Sequence, residues 1–405
     1  MSLNDIPSSE RIHIGFFGCR NVGKSSLLNA VTGQELSIVS AVKGTTTDPV
    51  MKSMELLPLG PVVVIDTPGL DDDDELLGRQ RIAKAKQAMN RCDIAVLVVD
   101  GYVGMTHTDM DILKTVKAKE IPYVIAVNKA DAVAVTELPE NGISVSALSG
   151  YGVHELKERL GRLAAGDGTG SRRLVGDLLK AGDVVVLVTP IDESAPRGRI
   201  ILPQQQTLRD ILDSHAAGIV VQVQELPAVL DSLGQSPRLV ITDSQAFGPV
   251  SKIVPADVPL TSFSILMSRY RGYLESAIRG AAALDRLQEG AKVLIAEGCT
   301  HHRQCNDIGS VKLPGWIRQH AGCESLKFDF ASGLDFPDDL SQYSVIVHCG
   351  GCMVNEREMR FRAKSAADQD VPLTNYGIAI AHMHGILRRS LGPFPALASL
   401  LDSGR

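Results

Sequence analysis

What the 405-residue sequence lacks narrows its role before any motif is read. No stretch of about 18 uninterrupted apolar residues occurs, so no membrane-spanning helix is expected. The opening, MSLNDIPSSERIHIGFFG, has no basic segment followed by an apolar one; no secretory signal is expected, and the chain reads as cytoplasmic. Aromatic residues make up 4%, with a single Trp, and no dense Lys/Arg run flanks any candidate site. The best basic cluster in the last third, ILRRS at 386–390, is slight. With a net charge of −6, this argues against a broad nucleic-acid footprint. Seven cysteines are too few for a disulfide scaffold and odd in number. No fixed-period repeat or low-complexity tract is evident.

What is present is an alternation of short β-rich runs and helical patterns, and it predicts an α/β chain of three domains. In the first, IHIGFFG, VVVID, IAVLVVD and YVIAVNK read as strands of a parallel sheet, with KSSLLNAVTG and HELKERLGRL as helices. The Gly-rich stretch AAGDGTGSRR (164–173) reads as a linker. A second βαβ sheet follows, through DVVVLVTP, QTLRDILDSH, GIVVQV, ELPAVLDSL and RLVITD. It holds no phosphate loop or metal cluster and reads as an association module. The helical segment 268–287 leads to a third βαβ-like region, where AKVLIAEGCTHH, SVIVHCGGC and VPLTNYGIAIAHMHG set strand-like runs before metal-capable residues. The expected domains are 1–168, 174–262 and 263–405.

GCRNVGKS (18–25) fits G-x-x-x-x-G-K-[ST] between a predicted strand and a predicted helix, the context a phosphate-binding loop requires. Gly18 and Gly23 let backbone N–H groups wrap phosphates at a helix N-terminus, with Asn21, Val22 and Ser26 in the same binding set. Lys24 reaches the β and γ phosphates, and the Ser25 hydroxyl ligates Mg2+. DTPG (66–69) puts Asp66 where a Mg2+-associated carboxylate belongs, and the Gly69 N–H faces the γ-phosphate. In NKAD (128–131), Asp131 accepts from the two donors of guanine that adenine lacks, so with Asn128 and Lys129 the motif selects GTP. Ser146 and Ala147 of SAL (146–148) back the base, and GTTTD (44–48) supplies hydroxyls to a first switch. The run DDDDE (71–75) reads as a solvated acidic loop.

The cysteines crowd the last third. CTH (299–301) and HCGGC (348–352) each follow a predicted strand, at the edge where open α/β sheets hold ligands. Three thiolates and one or two imidazoles can converge there. The glycines at 350 and 351 permit a tight turn with N–H groups aimed at sulfur. Cys3His suits tetrahedral zinc and an iron–sulfur cluster alike, so ligand chemistry does not choose between them. Cys92 and Cys323 read as packed thiols, Cys19 as a loop position using its backbone, and HMH (382–384) as packed or hydrogen-bonded histidines.

The ordered set G-x-x-x-N-x-G-K-S, G-T-T-x-D, D-T-x-G, N-K-x-D and S-A resembles the TrmE–Era–Der class of GTPases. The resemblance implies Thr46 as the switch residue on Mg2+ and Asn21 as a residue helping to hold K+. No glutamine stands near Pro68, so K+ takes the role of an arginine finger in slow hydrolysis, with Lys24, Thr46, Asp66 and Gly69 as the catalytic set. C-x-H followed by H-C-x-x-C behind such a domain resembles, over the whole chain, the hydrogenase maturation GTPase family HydF. That resemblance implies a [4Fe-4S] cluster on Cys299, Cys349 and Cys352, with His301, His348 and Cys305 as candidates for the fourth position. It also implies a homodimer that carries the two-iron subcluster of [FeFe]-hydrogenase between two radical-SAM maturases and the apo-hydrogenase, with no nucleic-acid or membrane partner. The alternative is a translation- or tRNA-associated GTPase of the same class with a structural zinc module.

Overall fold

The computed structural model describes residues 8–33, 49–69, 84–85, 87–133, 137–165, 173–191, 200–298, 308–333, 335–351 and 354–401. Thr46, DDDDE, Cys299, His301, Cys305 and Cys352 lie outside them. The chain divides after residue 170 into two compact units.

The first unit is built on strands β1 (Ile12–Phe17), β2 (Val50–Leu56), β3 (Gly60–Asp66), β4 (Ile94–Asp100), β5 (Tyr123–Asn128) and β6 (Gly142–Ser144), ordered β2-β3-β1-β4-β5-β6. The inner strands are β-branched on both sides because both faces are covered. Along β4, Ile94, Val96 and Val98 enter one core, and Ala95, Leu97 and Val99 enter the other. All neighbours run parallel except β2, which pairs antiparallel with β3. The expected all-parallel sheet therefore gains an antiparallel edge. The connection from Leu56 to Gly60 is too short for a crossover, so it can only make a hairpin. Chain order reverses at β1, between β3 and β4, which makes the crevice beyond the end of β1 the place for a ligand.

The second unit holds two four-stranded parallel sheets. One has β7 (Val184–Val188), β8 (Ala217–Val221), β9 (Leu239–Thr242) and β10 (Leu260–Ser262), ordered β10-β9-β7-β8. The other has β11 (Lys292–Glu297), β12 (Lys327–Ser332), β13 (Val345–His348) and β14 (Leu373–Asn375), ordered β12-β11-β13-β14. The stretches expected as association and cluster domains share one apolar core, in which Val186, Val240, Leu266, Leu294, Ile346 and Ile378 are buried.

These two sheets are copies of one plan. Both have their second strand beside the first on one side, and the third then the fourth on the other. The registers also coincide: Val188 pairs with Thr242 as Ala296 pairs with His348, and Ser262 pairs with Thr242 as Asn375 pairs with His348. Asp177, Leu179 and Gly182 precede β7 as Asp285, Leu287 and Gly290 precede β11. VPLTSFSIL (258–266) matches VPLTNYGIA (371–379), with the last strand and the following helix spanning equivalent residues. No fixed-period repeat is expected from the sequence, and the likeness of these two sheets is of another kind. The two share strand order, register and a few matching residues, which a search for a fixed period passes over.

Two local expectations also change. The stretch 268–287 is not one helix: Phe263–Tyr270 stops before Gly272, whose φ of 79° is left-handed, and Leu274–Ala281 begins anew before a short 3-10 turn, Ala282–Arg286. GIAIA in the last strand-like run lies in the helix Tyr376–Met383, capped by the Asn375 side chain accepting from Ile378 N at 2.8 Å. Among the described residues no helix is long and apolar enough to cross a membrane.

Candidate functional site

The first unit brings its separated motifs to the end of β1. The helix Lys24–Thr32 starts directly from the phosphate loop, which is bent by positive φ at Gly18, Asn21 and Gly23. Two of these positions have no room for a side chain. A Cβ on Gly18 would lie 2.2 Å from the Val98 carbonyl oxygen, and one on Gly23 would lie 2.3 Å from Asn128 Nδ2. Buried Lys24 folds over the loop and donates to the carbonyls of Gly18 (3.0 Å) and Cys19 (2.7 Å). Ser25 Oγ donates to Asp66 Oδ2 at 2.9 Å, which joins the two groups expected around Mg2+. Gly69 sits against the same loop, since a Cβ there would lie 2.8 Å from Arg20 Cα. Ser26 and Asn21 are exposed at the loop surface.

The base-recognition motifs are cross-pinned to this loop. Buried Asn128 donates from Nδ2 to the Val22 carbonyl at 2.9 Å and accepts from Ala147 N at 3.0 Å. Buried Ser146 donates to Asp131 Oδ1 at 2.5 Å, holding an exposed carboxylate in place. Lys129, with a left-handed φ of 72°, pairs with Asp100 at 2.6 Å. Asp100 was not singled out in the sequence, because an acidic residue at the end of a strand carries no distinctive signal. The Cys19 thiol is also more engaged than expected, lying 3.4 Å from Thr106 Oγ1 and 3.5 Å from Asp109 Oδ1.

The second candidate site lies where β11 and β13 end side by side. Chain order reverses between these two strands, so this is the crevice of their sheet. Cys349 N donates to the Ala296 carbonyl at 2.7 Å. Its sulfur accepts from Gly298 N at 3.1 Å and from Gly351 N at 3.3 Å. Two N–H dipoles aimed at one sulfur stabilise negative charge there. Gly298 immediately precedes Cys299, so the backbone entering the first motif touches the sulfur of the second. The turn depends on Gly351, with φ 63°; a Cβ there would lie 2.9 Å from both Arg271 Nη1 and Met359 Sδ. Buried Arg271 clamps the turn by donating to the carbonyls of Gly350 and Gly351.

His348 has a different task from the one expected. Its ring is wholly buried, with Nδ1 2.7 Å from the Cys349 carbonyl and Nε2 2.9 Å from Arg362 Nη1. A carbonyl only accepts and a guanidinium only donates, so Nδ1 carries the proton and Nε2 accepts. Burial, reinforced by the Arg362 charge, pushes the pKa down to about 3. Both nitrogens are committed, and the ring offers no lone pair to a metal in this arrangement. Arg362 is itself buried. It is satisfied by Glu358 Oε1 at 2.9 Å, the Gly333 carbonyl at 2.7 Å and the face of Phe336. Neither Glu358 nor Arg362 is among the residues expected from the sequence, because NEREMRFRAK is densely charged and nothing in it marks the two that are buried. Cys92 and Cys323 are buried, as expected of packed thiols.

Comparison with known proteins finds three matching stretches along the chain. Residues 13–129 match the family described as 50S ribosome-binding GTPase. Residues 174–272 match the hydrogen maturase F dimerization domain, and 275–393 match the hydrogen maturase F tetramerization domain. Among curated relatives, the tRNA modification GTPase MnmE of Synechococcus sp. (strain CC9605) is 35% identical over 149 residues, covering 37% of this chain and 33% of that protein. MnmE of Laribacter hongkongensis (strain HLHK9) is 37% identical over 156 residues, covering 37% and 34%. The chain thus spans about a third of the length of these relatives.

Proposed function

The chain belongs to the hydrogen maturase F family and carries a GTPase domain, and from that premise we propose that it is a GTP-driven scaffold for an iron–sulfur cluster. In this reading Ser25 and Thr46 hold Mg2+, Asn21 helps to hold K+, and Asp131 selects guanine. Cys299, Cys349 and Cys352 hold a [4Fe-4S] cluster. When bound, the cluster supplies an iron site on which a precursor of the two-iron subcluster of [FeFe]-hydrogenase can be carried. The partners are two radical-SAM maturases and the apo-hydrogenase. Nucleotide state would favour one domain arrangement or partner over another and would not perform the cluster chemistry itself.

The observation that carries the reading is the contact of Gly298 N with Cys349 Sγ at 3.1 Å. It supports a joint role for two motifs far apart in sequence, at a crevice where sheets of this kind hold ligands. Of the donor set, Cys349 suits the role: it sits in a turn with N–H groups directed at sulfur, next to the buried, hydrogen-bonded pair His348 and Arg362. Domains named for dimerization and tetramerization support an oligomer. The tRNA chemistry in the name of the MnmE relatives is not carried over, because the match covers only the front of this chain.

Anaerobic purification, metal analysis and EPR of the reduced protein test this reading. The protein is expected to be brown with about four irons per chain. Colourless protein with zinc on its cysteines would overturn it. Hydrolysis is expected to be faster in KCl than in NaCl, and Asn21→Ala is expected to abolish the difference.

A further inference from the structure

Asp285, His320 and His382 come from three elements: the 3-10 turn Ala282–Arg286, the last turn of the helix Leu313–Ala321, and the last turn of the helix Tyr376–Met383. His320 Nε2 lies 2.7 Å from Asp285 Oδ1, and His382 Nε2 lies 2.9 Å from the same oxygen. The three ligand atoms fall within 4.8 Å of one another. The two rings are steeply inclined, at 65°, with centroids 5.7 Å apart, so their nitrogens approach one point from different directions. We propose that these three side chains form a binding site for one divalent first-row transition-metal ion, separate from the cysteine edge.

The chemistry of the set carries this. Two imidazoles and one carboxylate are a standard ligand group for zinc and its neighbours, with the remaining position left to solvent. Ligand atoms around such an ion, at about 2.0–2.2 Å from it, stand roughly 3 Å or a little more apart. The two contacts to Asp285, at 2.7 and 2.9 Å, need a retreat of the carboxylate by a few tenths of an ångström, and the three ligand atoms already fall within 4.8 Å of one another. The Asp285 side chain is 50% exposed, whereas His320 and His382 are 23% and 17% exposed. Both histidines end their helices, where the negative end of the helix dipole favours a cation. Partial burial works to raise the Asp285 pKa, but the hydrogen bonds from His320 and His382 overcome it and keep the carboxyl below its usual range. The site is not an extension of the cysteine edge. His382 lies about 9 Å along its helix from Tyr376, whose hydroxyl donates to Glu297 beside that edge.

The matching sheet supplies an independent argument. Asp177 is the counterpart of Asp285, and Arg269 is the counterpart of His382, each the penultimate residue of its helix. There Arg269 Nη1 donates to Asp177 Oδ1 at 2.9 Å, and Nη2 binds the other oxygen. One copy therefore places a permanent cation against the aspartate. The other places two imidazoles there, the side chains that most often ligate divalent transition-metal ions.

The test compares the intact chain, stripped of metal under anaerobic conditions, with two variants, His382→Arg and His320→Ala. His382→Arg copies the ion pair of the sister sheet and so preserves the fold while removing a ligand; an unchanged thermal transition checks this. Zn2+ is titrated against a chromogenic chelator, and Co2+ is followed by visible absorption. The intact chain is expected to bind one equivalent more than His382→Arg. That equivalent should show weak d–d bands without the intense thiolate charge transfer of cobalt on cysteine. His320→Ala is expected to weaken this equivalent at least about tenfold. Equal stoichiometry in the intact chain and in folded His382→Arg, or an extra equivalent bearing thiolate charge transfer, would overturn the proposal.

Discussion

The two sheets of the second unit answer the same structural problem with different atoms at one position. At the end of β9, Asp243 N donates to the Val188 carbonyl, its carboxylate accepts from Gln245 N, and Thr242 Oγ1 donates to the Asp243 carbonyl. At the end of β13, Cys349 N donates to the Ala296 carbonyl, its sulfur accepts from Gly351 N, and His348 Nδ1 donates to the Cys349 carbonyl. The backbone scaffold is shared down to individual hydrogen bonds. One copy ends in hard oxygens and leads into a short 3-10 turn, Ser244–Ala246. The other ends in sulfur, gains a glycine turn, and buries an Arg362–Glu358 pair beneath it. The sheet supplies a place and a few side chains supply the chemistry, which is why fold alone does not assign function.

Six substitutions, in four tests, probe that contrast in descending order of expected effect. Cys349→Ser should abolish the iron content of anaerobically prepared protein, while Asp243→Ser at the equivalent position should leave it unchanged; equal loss from both would erase the distinction between the copies. Arg362→Leu strands a buried carboxylate and the Nε2 of His348. It should destabilise the chain by about 3–5 kcal/mol in urea denaturation, a cost with no equivalent in the other sheet. Gly351→Ala forces an L-residue into a left-handed turn with Arg271 and Met359 in the way. It should cost about 1–3 kcal/mol and lower cluster retention. Asn375→Ala and Ser262→Ala remove matching N-caps, Asn375 Oδ1 to Ile378 N at 2.8 Å and Ser262 Oγ to Ile265 N at 3.2 Å. Each should cost about 1 kcal/mol by thermal or urea unfolding, the smallest effect and the one expected to be alike in both copies.

Much of the first unit was legible because its signals are local. A phosphate loop needs glycines at fixed spacing, and a buried parallel strand needs an unbroken apolar run. β2 is not legible in the sequence because VMKSMEL lies at an edge, mostly exposed, and shows neither pattern. In the second unit, Cys349 and His348 were visible as residues but their different fates were not. Nothing in HCGGC says that the histidine is sealed between a carbonyl and a guanidinium fourteen residues away. HMH reads as packed or hydrogen-bonded histidines, and His382 is hydrogen-bonded to Asp285; which partners it meets is not legible, since Asp285 and His320 lie far off in sequence.

The sequence by itself determined that there is a nucleotide loop, which base it prefers, and that cysteines gather behind strand ends. Each of these is a pattern of neighbouring residues with one physical meaning. Tertiary structure alone decided that the second unit holds two sheets of one plan, that Gly298 and Arg271 grip the cysteine turn, and that two histidines and an aspartate meet. Such contacts join residues whose chain separation bears no relation to their distance in space. They depend on strand order and register, which the packing of the whole core selects.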